Sequence, residues 1–494
     1  MTRRILGLGI LLPLTVVAAA AVDGNLVQNP GFQVLDKEQK SPAGWRQVFP
    51  RAEVAPVFAR DDMPGAPGKY ALRLSAQGSP GTFGYWATTV GGISGSSSPI
   101  VSGKAATEKE PPVAVERMSF LGDQAYRFRC LFLPKHVDSV SRNIMMRIRW
   151  KDAKGEEVMG EYVFRYTRKG EWYKVDQLLT APRSAVAADI ELVLRWTGKG
   201  SVLWGDVRFE KAAVSPRQKI KVATVSFQPS GPTTTVENLR FFAGKVEEAG
   251  KAGADIVCLG EGITVVSTGK SYADVAESIP GPTSKALGVV AKAYHLYVIA
   301  GIYEREGGLV YNTALLINRD GAVVGRYRKT HLPINEVNGG ITPGTQYPVF
   351  RTDFGVIGIE ICYDNFFPEV ARMLALNGAE MIFLPIWGDL RANGYAWDIV
   401  ARGRAIDNSV YLVASNYSNK RSLIIDPDGR ILADTGGKSG IVLADVDLGA
   451  RTFGRWMWFD AYGDWKTQYP AERRTETYGP LLEERGADGQ AAVQ

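Results

Sequence analysis

Hydrophobic and polar positions alternate in short runs through the first part of the chain: Tyr126 to Phe132, Ile144 to Trp150, Val158 to Tyr166, Ile190 to Trp196 and Val202 to Phe209. A period of two places successive side chains on opposite faces, which predicts half-buried β-strands. Asp152-Ala-Lys-Gly155 and Gly198-Lys-Gly200 supply turn chemistry between them. No helical period is sustained here, so residues 23–213 read as an all-β sandwich. Residues 91–112, rich in Gly, Ser, Lys and Glu, read as a long exposed loop rather than a boundary.

From about residue 219 strands and helices alternate. Apolar runs at 219–225, 256–259, 297–303, 312–317, 355–362, 381–384 and 410–415 predict strands, and 236–250, 283–294, 367–377 and 395–407 predict helices. Leu239, Phe242, Val246 and Ala249 share one face of the first helix. This grammar predicts an α/β domain over 219–448, with the link near Ser215-Pro216-Arg217 as its boundary. Residues 449–494 form an irregular extension carrying Phe453, Trp456, Trp458, Phe459, Tyr462 and Trp465. So many rings are expected to pack on the body or on a second subunit, with the chain beyond about Glu483 unstructured.

The 494 residues exceed one ordinary domain. With 58 basic and 52 acidic residues the net charge is +6, a mild excess without a Lys/Arg block, which argues against a nucleic-acid partner. Arg3 and Arg4 precede an apolar run that ends in Ala18-Ala19-Ala20-Ala21. This is the anatomy of a signal peptide over 1–21 and predicts a secreted or periplasmic protein. An uncleaved membrane anchor is the alternative, although the run is short for a span of about 20 residues. Cys130, Cys258 and Cys362 are too few for a disulfide scaffold. The first two lie in strand-like runs and read as buried free thiols.

Three phrases in the α/β part stand at strand ends, where such folds gather functional groups: Cys258-Leu-Gly-Glu261, Tyr327-Arg-Lys-Thr-His-Leu-Pro333, and Gly358-Ile-Glu-Ile-Cys-Tyr-Asp-Asn-Phe-Phe-Pro-Glu369. Each alone has a bland explanation, but their joint occurrence in this order resembles the nitrilase superfamily of carbon–nitrogen hydrolases. The resemblance covers about residues 219–448 and extends to Asn312 and Arg404. It implies an α-β-β-α sandwich, a Glu261–Lys329–Cys362 triad, no cofactor or metal, and self-association through helical faces. A carboxylate can take the thiol proton and return it to the leaving amine. An ammonium can steady a thiolate and the oxyanion, with the Tyr363 N–H as second donor. The resemblance also assigns a second carboxylate, Glu336, to orienting substrate and water, and Trp387 is expected to line the pocket.

Tyr363-Asp364 after the Cys looks more like the amidase and carbamoylase branches than like nitrile hydrolysers, so a small-molecule carboxamide or N-carbamoyl substrate is expected. A papain-type pair of Cys362 with His331 is the weaker rival, and the scattered His136, His295 and His331 form no metal cluster. A binding protein with a disused catalytic half, or acyl transfer to an amine, are the other readings. In the β part, Asn25-Leu-Val-Gln-Asn-Pro-Gly-Phe32 with Pro42-Ala-Gly-Trp45, and Val202 to Phe209, resemble the opening and closing strands of a galactose-binding-like jelly roll. That implies glycan binding or a purely structural module. Gln33 stands where many relatives have an acidic residue, which puts their calcium site in doubt. Trp45 and Trp204 read as core, while Tyr85 and Trp86 are candidate contacts.

Overall fold

The computed structural model describes residues 24–38, 40–63, 68–93, 121–163, 165–213, 219–388, 396–417, 421–449, 453–454 and 462–483. The candidate signal peptide, most of the 91–112 loop, the 215–217 link, Trp456, Trp458 and Phe459 lie outside these residues, as does the chain beyond Glu483. The chain forms two compact units, one built mainly from residues up to 214 and one from residues 215–454.

The first unit holds two antiparallel sheets. One runs Arg46–Val48, Phe83–Gly91, Ala187–Arg195, Ile144–Lys151, Glu157–Val163 in order, with Tyr462 bridging Gly160 at its edge. The other runs Val57–Asp62, Tyr70–Ser75, Ser201–Ala212, Leu121–Lys135, Trp172–Pro182, Tyr166–Lys169. Rings interlock between them: Phe58 meets Trp86 edge-on at 5.2 Å, and Trp150 meets Phe209 at 5.9 Å. The predicted 158–166 strand is in fact two strands, one in each sheet. A strand that changes sheets keeps its alternation, so periodicity alone cannot see the corner. Trp86 is 1% exposed and donates its Nε1–H to the Arg73 carbonyl, which makes it core rather than a contact residue. Trp45 and Trp204 are buried as expected. Asn25 ties the opening phrase to the closing strand, donating to the Val207 carbonyl and accepting from Phe209 N–H.

The second unit is a four-layer sandwich. Its first sheet runs Val323–Arg328, Leu309–Ile317, Tyr297–Glu306, Ile256–Cys258, Lys219–Ser226, Gly440–Asp447. The second runs Val349–Arg351, Val356–Ile359, Met381–Pro385, Tyr411–Ser415, Leu423–Ile425, Ile431–Asp434. Their inner faces share one core in which Val222, Ile256 and Ile299 meet Ile359, Phe383 and Val413. Hydrogen bonds stitch the sheets across it, among them Thr224 Oγ1 to the Ala414 carbonyl at 2.8 Å and Ser415 Oγ to the Val225 carbonyl at 2.7 Å. Helices Thr235–Lys251 and Pro282–Tyr294 cover the outer face of the first sheet through Phe242, Val246, Leu287 and Ala291. Pro368–Leu376 and Ala396–Asn408 cover the second. The Thr234 side chain and Glu237 close a reciprocal capping box on the first helix. The strand expected over 355–362 stops at Ile359. Among the described residues no helix is long and apolar enough to cross a membrane.

Candidate active site

The Glu261 and Cys362 phrases follow the parallel-paired strands Ile256–Cys258 and Val356–Ile359, and the Lys329 phrase follows the antiparallel edge strand Val323–Arg328. Glu261 follows Ile256–Cys258, and Gly301 on the neighbouring strand lets it pack there, because a Cβ on that glycine would stand 2.7 Å from Glu261 Cα. Lys329 follows Val323–Arg328, and Glu336 sits in the short helix Ile334–Asn338. Cys362 opens the tight turn Cys362–Phe366 with φ of +45°, in the left-handed region that a Cβ disfavours. The turn lifts the thiol out of the strand into the cavity, while Cys130 and Cys258 stay buried in the cores.

Lys329 is 1% exposed and its Nζ lies 2.8 Å from Glu261 Oε1 and 3.0 Å from Glu336 Oε2. Asn312 Nδ2 bridges the same carboxylates at 2.8 and 2.6 Å. The Trp387 N–H donates to Glu261 Oε2 at 2.9 Å, the Tyr417 hydroxyl to the Glu261 carbonyl, and the Tyr303 hydroxyl to Glu336 Oε1 at 3.3 Å. Burial alone would drive the Lys329 ammonium toward neutrality, but Glu261, Cys362 and Glu336 together hold its pKa above the ordinary lysine range. Glu336 is pushed up by burial and by Glu261, against Lys329 and Asn312.

Lys329 does lower the pKa of the Cys362 thiol, as sequence reasoning expects, yet the balance goes the other way. Burial and the adjacent Glu261 carboxylate push it up to about 12. Cys362 therefore rests as a thiol hydrogen-bonded to Glu261, not as a preformed thiolate.

Asp364 fixes the turn that carries Cys362. Fully buried, it accepts from Tyr327 Oη at 2.7 Å, Thr330 Oγ1 at 3.0 Å, and the backbone amides of His331 and Ile361 at 2.9 and 3.1 Å. His331 Nδ1 also lies 3.0 Å away, and its ring stacks on Phe367 at 3.8 Å. The histidine thus belongs to the support of the turn, which removes the papain-type pairing. Arg404 Nε donates to the Asn365 carbonyl at 3.1 Å and holds the far end.

A cavity of about 540 Å³ opens onto these groups; Tyr363 and Trp387 line it as expected, and Tyr272, Asn365, Phe366 and Trp397 join them. Sequence reasoning did not single out Tyr272, Asp364, Trp397 or Tyr417. The position of Asp364 two residues after Cys362 was the available signal for one of them. The others reach the site only through tertiary folding.

Residues 221–453 match the family described as carbon-nitrogen hydrolase. The "Omega-amidase NIT2" of Bos taurus is 36% identical over 230 residues, covering 43% of this chain and 83% of the relative. The Homo sapiens "Omega-amidase NIT2" is 34% identical over 221 residues, covering 41% and 80%. Among solved structures, Saccharomyces cerevisiae Nit3, described as a member of branch 10 of the nitrilase superfamily, aligns at 28% identity with a TM-score of 0.43. It covers 48% of this chain and 93% of its own.

Proposed function

The chain belongs to the carbon–nitrogen hydrolase family and is an amidase-type hydrolase, and from that premise we propose that it cleaves a carboxamide or N-carbamoyl compound through a thioester on Cys362. The observation that carries this reading is the convergence of Glu261, Lys329 and Glu336 within 3.0 Å contacts beside a thiol on a left-handed turn. For an amide, Sγ attacks the carbonyl carbon as the thiol proton passes to Glu261. With a resting pKa of about 12, attack and proton transfer are coupled. Lys329 Nζ and the Tyr363 N–H carry the oxyanion. Collapse breaks the C–N bond and Glu261 returns the proton, releasing ammonia or an amine. Glu261 then deprotonates water, which attacks the thioester with Glu336 orienting it, and the acid leaves with the thiol restored.

The test is ammonia release and intact mass on a panel of amides, N-carbamoyl compounds and nitriles. Turnover with an acyl adduct on the wild type, both absent in Cys362→Ala, supports the reading; turnover that survives in Cys362→Ala refutes it.

Three further readings belong to this proposal. Arg3-Arg4 and the apolar run to Ala21 support export, to be checked by fractionation and the mature N-terminus. Met373, Ile399 and Ile406, exposed on the outer helices, support a homo-oligomer, to be checked by light scattering. The ring-filled two-sheet core with Asn25 clasping the closing strand supports a jelly-roll β unit. Glycan binding by that unit is to be checked by affinity electrophoresis on polysaccharides.

A further inference from the structure

We infer that the site takes the amide of a bulky, uncharged acyl group, aromatic or branched, in preference to a small acyl group or one ending in a carboxylate; this deepens the amidase reading above and rests on it. Much of the cavity wall beyond the catalytic groups is ring and alkyl carbon, from Tyr272, Phe366, Ile386, Trp387 and Trp397. Apolar surface reaches solvent at the mouth, where the lining residue Phe366 is 44% exposed. An apolar rim continuous with an apolar wall fits an acyl group that fills the cavity and reaches its mouth.

Charge points the same way. Among the described residues, the charged groups lining the cavity are Glu261, Glu336 and Lys329, and the lysine is already shared between both carboxylates at 2.8 and 3.0 Å. Its third N–H is the one the mechanism above gives to the oxyanion, so an incoming carboxylate would find no spare cation among the described lining residues and would meet like charge in a buried space. The other polar side chains of the lining, Tyr272, Tyr303, Asn335, Tyr363 and Asn365, are neutral. Asn365 is 1% exposed, and neither its Nδ2 nor its Oδ1 has a hydrogen-bond partner. A carboxamide suits an uncharged hydrogen-bonding group on the acyl chain.

The experiment compares kcat/KM of the full chain for propionamide, isobutyramide, hydrocinnamamide and succinamate, then repeats it for Trp397→Ala. One methylene in an apolar pocket is worth about 10–200-fold, so hydrocinnamamide should exceed propionamide by at least on the order of 10². Succinamate should fall about tenfold or more below propionamide. Trp397→Ala should shrink the hydrocinnamamide-to-propionamide ratio about tenfold. That ratio within one preparation does not depend on the folded fraction. Succinamate matching or exceeding hydrocinnamamide, or a ratio unmoved by Trp397→Ala, would overturn the inference while leaving the amidase reading intact. Failure of all four amides, with no adduct on Cys362, would count against both.

Discussion

Replacing Glu261 by Gln should make Cys362 more acidic while abolishing turnover. The wild-type thiol is carried from the ordinary 9.0 to about 12 by burial first and Glu261 second, with Lys329 pulling back. Gln keeps the volume and the burial but removes the negative charge. If Glu261 accounts for half of that rise, the variant's thiol falls by about 1.5 units, or about 2 kcal/mol at 1.36 kcal/mol per unit. Two unit charges 4 Å apart interact by about 4 kcal/mol at an effective dielectric of 20, so a share of this size is within reach. The assay is the pH dependence of iodoacetamide alkylation of Cys362, followed by intact mass. The wild type should still be rising at pH 11, whereas Glu261→Gln should level off about 1–2 units lower. Amide hydrolysis should drop at least about 10²–10⁴-fold, the usual worth of a general base. An alkylation profile that stays put or moves upward would refute the electrostatic reasoning. Unchanged hydrolysis would remove Glu261 from the chemistry altogether.

Glu360 offers a stability prediction. It is fully buried, neither carboxyl oxygen has a hydrogen-bond partner, and burial with Asp364 nearby raises its pKa to about 8 against the pull of Arg404. A folded pKa above the unfolded one means the native state holds the proton more tightly. Its contribution is full below about pH 4.5 and is lost as pH rises toward 8, by about 5 kcal/mol at most. Glu360→Gln should therefore flatten the fall of Tm between pH 5 and 8, measured by calorimetry; an equally steep fall would contradict it. Asp364→Asn should weaken the acceptor that holds the Cys362 turn and lower kcat about 10–100-fold with KM little changed, and alkylation of Cys362 should slow in step. Thr234→Ala removes a helix cap remote from the chemistry and should cost about 1 kcal/mol in denaturant unfolding with the same kcat.

The layout of the α/β unit is legible in the order of the residues alone. Its helices follow a 3.6-residue period, as with Phe242 and Val246 on one buried face, and its strands are apolar runs bounded by turns; both signals are local in the chain. The candidate triad was legible for the same reason, since Glu261, Lys329 and Cys362 each sit in a short phrase at a strand end. Periodicity could not tell that the 158–166 run splits between two sheets, or that Trp86 is core, because sheet pairing is set by partners far along the chain. The protonation of the site depends on which groups the fold brings together. Burial and the approach of Glu261 make Cys362 a thiol, and two carboxylates from different elements hold Lys329 charged. Trp387 apart, the ring wall of the cavity was likewise beyond sequence reading, since Tyr272 and Trp397 stand 125 residues apart and meet there only through the fold. Charge and shape in a buried site are sums over neighbours in space, and a chain read in order lists neighbours in sequence.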